Sequence, residues 1–382
     1  MAKSSGKSTH RSIGHATGVP EPLPPSLTWT DSLVRSLSDA DRLIGHLAGQ
    51  GTRLPNPHVL IRPFIRREAV LSSRIEGTQA TLGELLANEA GVAVDRSPED
   101  LKEVANYIIA LEYGIKRLKK LPLSIRLVRE LHGKLMHGAR GGRATPGEFR
   151  RSQNWIGPPG CTQANATYVP PPPDRLMDCL GEWERALRDP VLPPLIQTAL
   201  IHYQFEAIHP FIDGNGRVGR LLITLLLMER GVLPAPLLYL SAFFEATRQE
   251  YYGRLLAVSR DGAWDAWLEY FLNGVARQSE DALSRAERIN KLLDRWHRSL
   301  AGRGTKNTIW LLDIIAENPF ITINGAAKRL DVAFTTAQRT IESLRRARIL
   351  SEVTQGKRDR VFCARSILKI LEEPARLTHT SS

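Results

Sequence analysis

Twelve consecutive residues, His209 to Arg220, read HPFIDGNGRVGR and bring together an imidazole, a carboxylate, two glycines flanking an asparagine, and two arginines. Each type has a task in phosphate chemistry. An imidazole with an ordinary pKa of about 6.5 takes a proton from an attacking hydroxyl at neutral pH when it lies within hydrogen-bond reach, which makes His209 a candidate base. Asp213 offers hard oxygens to Mg²⁺, an ion that keeps several waters and sits between one or two carboxylates and nucleotide phosphates. Gly214 and Gly216 clear side chains from around Asn215, so that phosphate oxygens can approach main-chain amides. Arg217 and Arg220 lie three apart and project from one turn of a helix towards a common anion, while Phe211 anchors the loop in a core.

These groups need elements to hold them. The run LLITLLLMERG that follows, Leu221 to Gly231, is apolar and closed by glycine, so it predicts a buried helix with the glycine turn at its amino end. Unspent N–H groups and the positive end of the helix dipole gather there, which is an anion site. A second helix, Pro194 to Ala207, delivers the chain into His209. Fragment by fragment these features are ordinary, since a histidine before an apolar helix is commonly a cap or core group and Asp-Gly-Asn-Gly commonly a loop. The complete run is more specific.

It matches every fixed position of the H-x-F-x-[DE]-G-N-G-R-x-x-R signature of the Fic (filamentation induced by cAMP) family, so the chain resembles a Fic protein adenylyltransferase. That resemblance implies transfer of AMP from ATP to a Ser, Thr or Tyr hydroxyl of a target protein, or of the enzyme itself, with release of pyrophosphate. It makes His209 the base and Asp213 the Mg²⁺ ligand. Gly214, Asn215 and Gly216 then form the anion hole, Arg217 neutralises phosphates, and Arg220 holds the γ-phosphate. The related Doc kinases carry Lys where this chain has Gly216, and glycine leaves room for the β- and γ-phosphates, which favours AMP transfer.

Three further segments extend the resemblance. Ser72-Ser73-Arg74-Ile75-Glu76-Gly77 is similar to the family's inhibitory helix, [ST]-x-x-x-E-[GN], and read without it is a helix end with a polar face closed by glycine. By resemblance Ser72, Glu76 and Gly77 are inhibitory, and Glu76 pairs with Arg220 in place of the γ-phosphate. The stretch from Gly147 to Pro173 has two short extended arms around a Pro-Gly tip and ends in Pro170 to Pro173. It resembles the Fic flap, with Ile156, Gly157, Tyr168 and Val169 registering target backbone. Tyr251 and Tyr252 occupy the region that borders the adenine pocket in similar proteins.

The chain's 382 residues, 42% hydrophobic, predict two or three domains with real cores. We expect a flexible arm over 1–25, an N-terminal Fic-associated region with the inhibitory helix over 26–95, a Fic core with connecting helices over 96–300, and a winged-helix domain over 305–376. The fold class expected is mainly α: a Fic-type helical core with a small β-hairpin flap, plus a C-terminal winged helix-turn-helix domain. Thr81 with Glu84 reads as a capping box, and Ser97-Pro98-Glu99-Asp100 as a helix start. The longest apolar run is too short to span a bilayer, and the three cysteines, Cys161, Cys179 and Cys363, have no metal or disulfide spacing. A cytoplasmic protein without a membrane partner is the expectation.

After Ala301-Gly302-Arg303-Gly304 the pattern becomes helix-turn-helix followed by a basic hairpin around Gly356, which resembles a winged helix. Gln338, Arg339, Arg345, Arg346, Lys357, Arg358 and Arg360 are its candidates for DNA. From 305 to 376 there are 13 Lys and Arg against 8 Asp and Glu, while the whole chain carries a formal charge of +12, so basicity is shared and not concentrated. DNA or a dimer partner is the open partner of this module. The alternative to an enzyme is a DNA-binding regulator whose Fic core senses nucleotide or modifies only itself. An intact His209 favours the enzyme, because sensing ATP needs an anion hole but no base.

Overall fold

Cap residues, apolar periods and chain-breaking glycines leave their mark on nearly every helix of the computed structural model, which describes residues 16–53, 58–138, 145–189, 191–302, 304–354 and 360–375. The chain enters through β1 (Ala16–Thr17), α1 (Asp31–Arg53) and α2 (His58–Ile75). α3 (Leu82–Glu89) begins with the expected capping box: the Glu84 N–H donates to the Thr81 hydroxyl at 3.2 Å, and the Thr81 N–H donates to the Glu84 carboxylate at 2.8 Å. α4 (Pro98–Leu118) has Pro98, Glu99 and Asp100 in its first turn, and α5 (Ile125–Leu135) is capped by the Ser124 hydroxyl. The hairpin region follows with β2 (Tyr168–Val169), then α6 (Leu176–Arg188), α7 (Pro194–Ile208) and α8 (Asn215–Glu229). Next come α9 (Ser241–Ala246), α10 (Arg248–Asp261) and α11 (Trp264–Leu300), one unbroken helix of 37 residues.

The C-terminal stretch runs α12 (Lys306–Glu317), β3 (Phe320–Thr322), α13 (Ile323–Leu330), α14 (Phe334–Arg346), β4 (Ser351–Glu352), β5 (Val361–Cys363) and α15 (Arg365–Glu372). Its strands form an antiparallel sheet in the order β3-β5-β4, with Phe320 and Ser351 both opposite Cys363. α12, α13 and α14 fall on the three helical segments read from the sequence, and β4 and β5 flank Gly356. β3 and α15 were not foreseen. Gly356, Lys357 and Arg358 lie outside the described residues. Of the basic candidates inside them, Arg345 and Arg346 share Glu342 at 2.8 and 3.4 Å, and Arg360 holds Glu352 at 2.6 Å.

Two compact units share the chain: Met1–Asp41 with Ile109–Arg230 and Thr247–Asn273, and Arg42–Ile108 with Gly231–Ala246 and Gly274–Ser382. In the first, α7 and α8 pack on each other, with α6 and α10 against α7 and α5 against α8. α7 is apolar on all sides, as a helix enclosed by neighbours must be; Leu195, Ile196, Ala199 and Phe205 are fully buried. Trp183 and Trp267 sit in this core with their indole N–H groups donated to the carbonyls of Ile201 and Ala199, each at 3.0 Å. The expected flexible arm is corrected in part: Ala16 and Thr17 run parallel to Tyr168 and Val169, and the Glu21 carbonyl accepts from Gln204. A polar, proline-rich composition shows that a segment cannot build its own core, not that it lacks a partner elsewhere.

In the second unit α2 is the central element, packed by α3, α9, α12 and α15. Its Glu68 is 2% exposed and accepts from the Tyr107 hydroxyl at 3.1 Å and from the Ser241 hydroxyl, so a buried carboxyl group joins α2, α4 and α9.

His202, on α7, is 2% exposed; its Nδ1 meets the Gly219 carbonyl at 3.0 Å and its Nε2 the Tyr251 hydroxyl at 2.8 Å. Burial pushes it down to about 3. The unfolded chain takes up this proton below about pH 6.5 and the folded one only near pH 3, so stability is lost as pH falls through that window. We expect urea denaturation between pH 7 and 4.5 to show a slope approaching about 1.4 kcal/mol per pH unit from this group. In His202→Phe, which cannot titrate, the slope should be shallower; an equal slope would refute the assignment. Thr81→Ala should cost about 1 kcal/mol through the lost cap, read by the same method.

Candidate active site

α7 ends on His209 itself, in the left-handed region at φ 49° and ψ 61°, with its N–H donated to the Phe205 carbonyl at 3.0 Å. For a residue other than glycine this conformation costs about 1–3 kcal/mol and persists only where the surroundings enforce it. Arg150 enforces it here. Its side chain is 3% exposed, its Nε donates to the His209 carbonyl at 2.9 Å, and its Nη2 reaches the carbonyls of Ile208 and Pro171. Asn154 adds a donor to the same His209 carbonyl at 3.3 Å. On the ring, Nδ1 lies 3.2 Å from the Glu206 carbonyl. A carbonyl only accepts, so Nδ1 carries the hydrogen and the lone pair of the neutral ring is on Nε2.

The next residues are stitched by side chains. The Phe211 N–H donates to Asn215 Oδ1 at 2.8 Å, and Asn215 Nδ2 returns to the Phe211 carbonyl at 2.9 Å, which also accepts from Asn154 at 3.0 Å. Asn215 is thus a staple across the turn as well as a member of the amide run. Gly214 caps α8 at φ 80°, and a Cβ there would lie 2.8 Å from Met136 Sδ. The main chain of Gly214, Asn215 and Gly216 therefore stands at the amino end of a buried helix. Asp213 keeps 55% of its side chain exposed, and the buried Arg217 guanidinium comes within 3.7 Å of its Oδ1. Arg220, 2% exposed, follows one turn further along α8.

His132 and Met136, at the end of α5, complete this side of the turn. The His132 ring is 1% exposed and stacks on Phe211 with centroids 3.7 Å apart and planes 2° from parallel. Burial pushes this histidine down to about 4. No sequence pattern marked it, because a single histidine on an amphipathic helix looks like any other polar residue.

Between the two arms around the Pro-Gly tip, Ile156 and Tyr168 exchange both main-chain hydrogen bonds, at 2.8 and 3.0 Å. A side chain at Gly157 would meet Cys161 Sγ at 2.7 Å and the Thr167 nitrogen at 3.2 Å, so that position has no room for one. The Tyr168 hydroxyl donates to the Ala207 carbonyl at 2.9 Å, which joins β2 to the helix that carries His209, and Val169 is buried beside it. Tyr251 differs from the expected wall position: it is 1% exposed and its hydroxyl is held by His202, which makes it core, whereas Tyr252 is 40% exposed with Arg248 over its ring at 5.9 Å.

In the second unit, Ser72 is fully buried on the last turn of α2, and the Glu76 N–H donates to the Ser73 carbonyl at 3.0 Å. Gly77 closes the helix at φ 101°. Arg150 and Asn154, which hold His209, were read only as members of the segment from Gly147 to Pro173. Their signal lay in the pairing of a long donor side chain with carbonyls about 55 residues away, which no local pattern encodes.

Gly214→Ala tests how closely the turn is built. The substitution places a Cβ in a left-handed residue and against Met136 Sδ, so we expect destabilisation of at least about 1 kcal/mol together with lost nucleotide binding. Thermal melts and ATP titration measure the two effects, and an alanine variant as stable as wild type would contradict the geometry.

Comparison with known proteins agrees with this architecture. The chain matches the Fic/DOC family N-terminal region over residues 34–116 and the Fic/DOC family over residues 122–227. It is 35% identical over 169 residues to "Protein adenylyltransferase Fic" of Drosophila erecta, covering 42% of this chain and 31% of that protein. The protein of the same name from Drosophila melanogaster is 34% identical over 169 residues, 42% of this chain and 32% of its own length. The chain therefore spans about a third of the length of these curated relatives. Among solved structures, a Fic family protein from Desulfovibrio desulfuricans superposes with a TM-score of 0.60 at 20% identity, over 90% of this chain and 98% of that one. Fic-1 from C. elegans gives 0.52 at 23% identity, over 66% of this chain and 74% of its own. Residues 34–116 carry the N-terminal region, and residues 122–227 the Fic domain, of the Fic/DOC family.

Proposed function

We propose that the protein is an autoinhibited protein adenylyltransferase that moves AMP from ATP to a Ser, Thr or Tyr hydroxyl, of a target protein or of itself. The observation that carries the reading is the turn from His209 to Gly216. It holds an imidazole with Nδ1 on a carbonyl and Nε2 left as the basic nitrogen of the neutral form, next to helix-terminal amides, an exposed carboxylate and a buried arginine. The relatives named as protein adenylyltransferases support it.

In the proposed reaction His209 Nε2 takes the proton of the target hydroxyl, whose oxygen forms a bond to the α-phosphorus. The bond from that phosphorus to the β-phosphate oxygen breaks and pyrophosphate leaves. Main-chain N–H groups of Asn215 and Gly216, at the amino end of α8, receive the phosphate charge, and the Gly214 N–H joins them by leaving the Asp213 carboxylate. Arg217 adds a buried positive charge and Arg220 takes the γ-phosphate. Asp213 is the carboxylate for Mg²⁺, and one exposed carboxylate suits an ion bound mostly by phosphate and water. Bound there, Mg²⁺ neutralises phosphate charge. The flap, through Ile156, Gly157, Tyr168 and Val169, registers the target's backbone, and Tyr252 borders the adenine.

Regulation is read from Ser72, Glu76 and Gly77 at the end of α2, with Glu76 competing with the γ-phosphate for Arg220. The module from 305 to 376 is proposed as a winged helix that serves assembly or targeting, since Arg345, Arg346 and Arg360 are already engaged by acidic neighbours. No helix among the described residues is long and apolar enough to cross a membrane, and a cytoplasmic setting is part of the same proposal.

One assay tests the reading. The protein is incubated with ATP labelled at the α- or the γ-phosphate, as wild type, Glu76→Gly and His209→Ala. We expect label from the α-position alone, more of it from Glu76→Gly, and a loss of about 10²- to 10⁴-fold in His209→Ala. Transfer of γ-label would mean kinase chemistry. Absence of label in all three would leave a nucleotide sensor.

A further inference from the structure

His132 has both ring nitrogens committed in a way that allows one protonation state. The Gly147 N–H can only donate, so Nδ1, 2.9 Å away, is an acceptor; the Asp213 carbonyl can only accept, so Nε2, 3.0 Å away, carries the hydrogen. The same ring lies flat on Phe211 and within 3.5 Å of the point where a side chain on Gly214 would begin. Three of the four positions from 211 to 214 thus rest on one imidazole, by stacking, hydrogen bond and contact.

The hydrogen bond to Asp213 has a directional consequence. A trans peptide sends its C=O and its N–H to opposite sides. Holding the Asp213 carbonyl towards α5 therefore turns the Gly214 N–H away from α5, and that N–H is found 2.6 Å from Asp213 Oδ1, on the carboxylate's side. The side-chain ties from Arg150 and Asn154 grip the carbonyls of His209 and Phe211. His132 grips the peptide between the carboxylate and the helix. Arg217, which approaches both Met136 Sδ and Asp213 Oδ1 at 3.7 Å, is the charged neighbour on the α8 side.

We propose that His132 is a positioning residue for the nucleotide-binding turn: its Nε2–H sets the plane of the Asp213–Gly214 peptide, and with it the aim of the first anion-binding amide and of the carboxylate assigned to Mg²⁺. This rests on the adenylyl-transfer reading above. The role lies one step from the substrate, as with the orienting partners of metal ligands, whose loss typically costs about 10- to 100-fold in affinity or activity.

His132→Phe keeps an aromatic ring on Phe211 and removes both hydrogen bonds, while His132→Gln returns a donor towards the Asp213 carbonyl. Both are made in the full chain, in wild type and in Glu76→Gly, and followed with α-labelled ATP. We expect His132→Phe to lower kcat by about 10- to 100-fold with a much smaller change in KM for ATP, and to raise the Mg²⁺ concentration needed for half the maximal rate. His132→Gln should recover part of the loss. A readout without turnover accompanies these: ¹⁵N spectra of the histidine rings should contain a neutral, Nε2-protonated signal that disappears in His132→Phe, whose melting curve stays cooperative. If His132→Phe does not fold, His132→Gln carries the same comparison. Unchanged kcat and Mg²⁺ dependence in a folded variant overturn the inference, as does a His132 ring protonated on Nδ1. Failure of the proteins that retain His132 to transfer any α-label removes the adenylyl-transfer reading and this inference with it, a result distinct from transfer that ignores the substitution.

Discussion

A buried arginine holding the carbonyl of a strained histidine is the constraint on which the first unit depends. The chain must leave α7 and enter α8 within six residues while presenting an imidazole, a carboxylate and several amides on one side. It does so by reversing at His209 in a left-handed conformation that only an external grip maintains, and Arg150 supplies that grip. Burial draws the Arg150 guanidinium below its usual pKa, yet an arginine stays charged at any physiological pH, so its donors remain available to the carbonyls around it. The cost of burying that charge is offset by hydrogen bonds to His209, Ile208, Pro171 and Ser152 carbonyls.

The same economy appears in the second unit, where α2 is fastened by polar groups that cannot be satisfied anywhere else. Arg285 pairs with Asp281 at 2.7 Å and donates to the carbonyls of Ile370, Glu373 and Pro374, which closes the end of α15. Arg67, on α2, joins Asp281 at 3.7 Å. α2, α11 and α15 are therefore linked through one buried ionic group, and the Glu76 turn lies at the end of the helix so held. Breaking one partner of such a group strands another charge, which is why networks of this kind fix a single arrangement.

Much of this was legible beforehand. The capping box at Thr81, the proline start at Pro98 and the glycine closures at Gly77 and Gly231 are local rules, and each appears at its place. The motif from His209 to Arg220 was legible for the same reason: its residue types and spacing describe a turn feeding a helix, and that is how it folds. Tyr251 shows the limit, since an aromatic pair reads alike whether it lines a pocket or fills a core, and only burial and the bond to His202 separate Tyr251 from Tyr252. Ala16 and Thr17 show another, because a two-residue strand exists only through its partner at Tyr168 and Val169.

By itself the sequence determined the groups on offer, an imidazole, a carboxylate, an amide turn and two arginines in one run, along with the helix ends that frame them, because caps, periods and glycines act over a few residues. Only the tertiary structure decided which nitrogen of His209 holds the lone pair, that Asn215 is also a staple, and that Arg150, Asn154 and His132 hold the turn. Those outcomes depend on donors meeting carbonyls tens of residues away, and the distance along the chain carries no trace of the distance in space.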